Sequence, residues 1–132
     1  MKNKKLERVN EIRGIMLGLE MGIKILDDDL ESVDMELIHL NKIESDLIYN
    51  INLHRSGKVI TVVKEYKRSI DELEIIKQEI IKHNNFRITI QKKMDKKLDS
   101  HKYYLDEFEK AYNDLNSESV ILLFRKDKDK DE

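Results

Sequence analysis

The sequence predicts an all-α chain, a long antiparallel helical hairpin of coiled-coil type that is suited to joining a larger multi-chain bundle. Three observations carry that expectation. The 132 residues include no proline, the strongest helix breaker. Charged residues make up 39%, enough to clothe long solvent faces with i,i+4 pairs. Apolar residues also recur at alternating steps of three and four along the first arm, the signature of a heptad seam.

That first seam is Val9, Ile12, Met16, Leu19, Ile23, Leu26, Leu30, Val33, Leu37, Leu40, Leu47 and Ile51, with Glu44 in the one gap. It predicts one helix over residues 4–54. Such a helix needs its apolar stripe covered, since isolated helices are marginal in water. A turn at residues 55–58 follows. Gly57 stands just past a serine, where a helix C-terminus wants a residue able to take positive φ.

The second arm, residues 58–116, carries Val59, Val63, Tyr66, Ile70, Leu73 and Ile80, then Met94, Leu98, Leu105, Phe108, Tyr112 and Leu115. In strict register this stripe would present Lys77, Asn84, Arg87 and Gln91, with Ile76, Ile81, Ile88 and Ile90 to either side. A phase slip is therefore expected, with a kink or break near residues 83–85 that divides the arm into helices 58–82 and 86–116. The strand-like stretches "KVITVV" and "FRITI" are read as helix, because β-branching lowers helix propensity only slightly. An apolar segment at 118–124 closes a single hairpin domain, 1–124. The charged residues 125–132 read as a disordered tail.

Composition narrows the function classes. The formal net charge is −2, from 25 basic and 27 acidic residues, which gives no overall attraction to nucleic acid or to an anionic membrane. There is no cysteine, so disulfides and thiolate chemistry are excluded. The basic start "MKNKKLERVNEIRG" runs into alternating charge, which is not a signal peptide. The apolar window Ile12–Leu26 is interrupted by Arg13, Glu20 and Lys24 and falls short of the ~20 residues of a membrane span. The expected location is the cytoplasm, with co-export alongside a partner as an extension.

No catalytic, cofactor or metal site is expected. His39, His54, His83 and His101 lack metal-ligand spacing, and "DDDLE" at 27–31 lies inside strong heptads rather than in a calcium loop. The chain reads as a non-enzyme. Lys92, Lys93, Lys96 and Lys97 form a basic cluster that could track phosphates. If the turn sets the register, facing residue numbers sum to about 113 in the hairpin. Asp27, Asp28 and Asp29 then face Asn84 to Arg87, and Glu20 faces Lys92 and Lys93, answering the cluster internally.

Gly14, Gly18 and Gly22 make the most specific statement. With Val9 at heptad position a, they fall at f, c and g, off the seam, while Leu17, Met21 and Ile25 fall at b, f and c. Small residues at four-residue spacing let another backbone approach closely. This face reads as a partner-binding groove. The alternative cover is the chain itself, with Val120, Ile121, Leu122, Leu123 and Phe124 folding back; otherwise they extend the binding surface.

The outline resembles the WXG100-like proteins of type VII secretion, and more closely the Lap-type small helical partners of LXG effectors in Gram-positive bacteria. Tyr103-Tyr104-Leu105-Asp106-Glu107 is similar to that family's YxxxD/E signal, as Tyr103 with Glu107. At the turn the chain has Arg55-Ser56-Gly57-Lys58 where WXG100 proteins have WxG. The resemblance implies an adaptor or chaperone whose partner is an exported effector. Two alternatives stand beside it: a self-assembling coiled-coil protein, structural or phage-encoded, and a nucleic-acid-binding regulator acting through residues 92–97.

Overall fold

The structure, a computed structural model, describes the backbone of residues 3–60 and 62–130, with side chains as far as Ser117. Two helices account for nearly all of it, α1 over Lys4–Arg55 and α2 over Val63–Lys130, packed as a hairpin. Among the described residues there is no strand. The chain divides into two compact units, one pairing Met1–Ile25 with Met94–Glu132 and one formed by Leu26–Lys93.

The ends of α1 are closed by local chemistry. At its start the Asn3 side-chain oxygen accepts from the backbone N–H groups of Lys5 and Leu6, at 3.1 and 3.2 Å, a standard N-cap. At its end the Gly57 N–H donates to His54 and the Lys58 N–H to Leu53, both at 3.3 Å, with Gly57 at φ 71°. This is the Schellman arrangement, which satisfies two carbonyls of the last turn. The Ser56 hydroxyl also donates to the Leu53 carbonyl at 3.0 Å.

α2 begins at Val63, not at residue 58. Lys58, Val59 and Ile60 lie outside the helix and are exposed, so this part of "KVITVV" is connection. The Val62 carbonyl accepts the first helical bond, from the Tyr66 N–H at 3.0 Å. Val62 is thus the N-cap residue, and it offers no side-chain oxygen to the free N–H groups.

Every position of the α1 seam, Glu44 included, is buried or half-buried. The seam of α2 differs from the expected one. Its inward residues are Tyr66, Ser69, Leu73, Ile76, Ile80, His83, Ile90, Met94, Lys97, His101, Tyr104, Phe108, Ala111 and Leu115, all buried or half-buried. Adding Arg87 makes an unbroken alternation of three and four. Ile70, Leu98, Leu105 and Tyr112, which were expected inside, are exposed.

The stripe therefore does not slip, and α2 continues as one helix through His83, Asn84 and Asn85. The expected break is corrected by how its polar seam residues are satisfied. His83 Nδ1 lies 2.7 Å from the Glu79 carbonyl oxygen on its own helix. Arg87 donates to Asp34 across the hairpin at 2.7 Å, and Asn50 donates to Ser69 at 3.5 Å. A seam position tolerates a long or polar side chain that reaches a partner at the rim.

These pairs fix the register. In the second unit Asn50 meets Ser69 and Asp34 meets Arg87. In the first, Glu20 meets His101 at 3.0 Å and Lys5 meets Asp114 at 4.0 Å. Facing residue numbers sum to about 120 instead of about 113, a displacement of one heptad. The cause is the later start of α2, which moves the hairpin's midpoint toward Ile60. Glu20 consequently pairs with His101 rather than Lys92 and Lys93, and Asp34 takes Arg87.

The helical backbone also continues through residues 118–130, which takes in residues 125–130 of the stretch read as a tail. Asp131 and Glu132 lie outside the described residues.

Candidate functional site

Two of the three aligned glycines sit on an open face of α1. A Cβ placed on Gly14 or Gly18 would meet nothing within 4 Å. Around them Leu17, Met21 and Ile25 are 54%, 68% and 60% exposed. The heptad arithmetic explains this: b, c and f positions point away from a hairpin partner. Between Gly14 and Ile25 the side of the helix at b, c and f is apolar except at Lys24.

Gly22 is different. A Cβ there would lie 3.1–3.3 Å from Nζ, Cε and Cδ of Lys97. Lys97 occupies a d position of α2, and its stem crosses over the glycine on its way to solvent. One of the three small residues thus accommodates the hairpin's own second arm. The groove for an outside helix is floored by Gly14 and Gly18.

Val120 to Phe124, the other half of the expected binding surface, carry side chains outside the described residues. Their backbone is α-helical, and α2 does not reverse after Asn116 and Ser117. The fold-back that would cover the glycines is therefore corrected: a continuous helix cannot turn its own C-terminal segment onto the face of α1. Tyr103 is exposed, and Glu107, one helical turn on, is half-buried and 3.7 Å from the Lys110 ammonium.

Among the described residues no group of three His, Asp or Glu side chains converges as metal ligands. Lys92, Lys93 and Lys96 are exposed and the internal acids expected to answer them are elsewhere. The surface grooves are shallow and lined by helix flanks. One of about 430 Å³ lies between Lys4, Arg8 and Glu107, Ala111 in the first unit. Another of about 530 Å³ lies between Ile48, Asn52 and Ile70, Glu74 in the second. The first is lined by charged side chains, Lys5, Lys110 and Asp114 among them, with Ala111 as its one apolar residue, and the second mixes aliphatic with charged flanks. No helix among the described residues is long and apolar enough to cross a membrane. Comparison with family models, with curated proteins and with solved structures finds no match to this chain.

Proposed function

We propose that the chain is a non-enzymatic helical adaptor or chaperone, which lays the Gly14–Ile25 face of α1 against a helix of another protein. One observation carries this reading: large exposed side chains at Leu17, Met21 and Ile25 beside open space at Gly14 and Gly18. Bulk at the edges and none at the floor suits a helix that approaches backbone to backbone.

By its resemblance to the Lap-type partners, the protein it binds is an exported LXG-type effector, met in the cytoplasm and carried out with this chain. Tyr103 and Glu107 then lie on one helix face, available as the secretion signal. The test compares wild type with Gly18→Leu as baits in the native host. The variant keeps the hairpin's melting temperature or raises it, since leucine is the better helix former, yet loses the partner that wild type retains. A partner held equally by both baits sinks the reading.

A further inference from the structure

The tip of the hairpin carries a feature that the adaptor reading does not use. Ile60 is 93% exposed, and Val59, Val62 and Val63 beside it are exposed too. Branched aliphatic side chains at a loop apex gain nothing from water. They also cannot turn inward, because the layer beneath them is occupied. Arg55 donates to the Tyr66 hydroxyl at 2.9 Å, and the His54 and Tyr66 rings pack edge-on at 5.8 Å. The next layer is closed by Asn50 and Ser69.

Charge around the apex is as one-sided as its apolarity. From Leu47 to Ile70 the basic side chains are Arg55, Lys58, Lys64, Lys67 and Arg68, and the one acid is Glu65. The whole chain, by contrast, carries −2. Arg68 is paired with Glu72 at 3.3 Å. Lys58, Lys64 and Lys67 are exposed, and among the described residues none of them forms an ion pair. Aliphatic residues at the apex with lysines set behind them match the layering of a bilayer surface, with hydrocarbon below and anionic headgroups above.

We propose that this tip docks the hairpin on an anionic lipid surface, with Val59, Ile60 and Val62 entering the headgroup–acyl boundary and Lys58, Lys64 and Lys67 meeting lipid phosphates. A nucleic acid would satisfy the lysines but leave the apex in water. An acidic protein groove remains as the competing occupant. The contact is interfacial, since the apex is far shorter than a span.

The chain has no tryptophan, so Ile60→Trp places a single reporter at the apex. With vesicles of phosphatidylcholine containing about 30% phosphatidylglycerol its emission shifts to the blue, and with phosphatidylcholine alone it does not. Reversing Lys58→Glu and Lys64→Glu together weakens vesicle binding at least about tenfold. Wild type, followed by co-sedimentation, shows the same lipid preference and releases as salt rises from about 0.1 to about 0.5 M. Emission that moves with both vesicle types or with neither overturns the proposal, as does binding that survives the double reversal. A tip built for an acidic protein groove gives the second of those results.

Discussion

Buried apolar side chains come unequally from the two helices. α1 contributes Val9, Ile12, Leu30, Val33, Leu37, Leu40 and Ile51, whereas α2 contributes Ile90 and Met94. Both nevertheless keep an unbroken seam. α1 does so with apolar side chains at every position but Glu44. α2 places Ser69, His83, Arg87, Lys97 and His101 at inward positions and leads each to a partner: Asn50, the Glu79 carbonyl, Asp34, the surface of Gly22, and Glu20. In this chain one stripe that is apolar at all but one position faces a stripe that is not. The facing stripe is then free to carry groups that specify alignment, the best-attested use of polar residues in a seam. Asp34 and Arg87 are each about half exposed, so their contribution to stability is small and their value lies in register.

The contrast is broken most easily in α1. Leu37→Ala empties a buried seam position and should cost about 2–5 kcal/mol, read as a lower urea midpoint. Ser69→Ala, on the polar stripe, should cost less than ~1 kcal/mol. Equal losses at the two sites would mean that the arms contribute alike.

The unequal seams also explain what the amino-acid sequence makes legible. The α1 stripe is readable because its a and d positions are apolar except at Glu44. In α2 the a column has apolar neighbours on both sides. One is d, with Ile76, Ile90, Tyr104 and Ala111; the other is e, with Ile70, Leu98, Leu105 and Tyr112. Apolarity alone favours the e column toward the C-terminal end, although the helix buries d. What holds d inward is that its polar members reach partners, Ser69 to Asn50, His83 to the Glu79 carbonyl and the Lys97 stem over Gly22, and such reach has no periodicity. The register was hidden for a related reason. Val59 and Ile60 continue a helical stripe on paper, but they follow a closed Schellman turn and lie outside both helices. Of the glycine face, the exposed floor at Gly14 and Gly18 is legible from heptad position, while the Lys97 stem over Gly22 depends on the register and was not.

The glycines offer a smaller test of the same contrast. Gly18→Ala adds a Cβ into open space and should stabilise the hairpin by about 0.5–1 kcal/mol. Gly22→Ala must displace the Lys97 stem from 3.1–3.3 Å, so its gain should be smaller. Thermal melting of the two variants gives the order. If Gly22→Ala is the more stabilising, Lys97 does not rest there.

Pairing register is the central claim, because it decides which side chains of α2 face α1. The chain contains no cysteine, so introduced pairs report without interference. Asn50→Cys with Ser69→Cys replaces two short side chains whose polar atoms lie 3.5 Å apart, within reach of disulfide geometry. Asn50→Cys with Val63→Cys tests the register one heptad away. Mild oxidation should close the 50–69 disulfide and leave the 50–63 pair reduced; rapid closure of 50–63 with 50–69 left open would contradict this register.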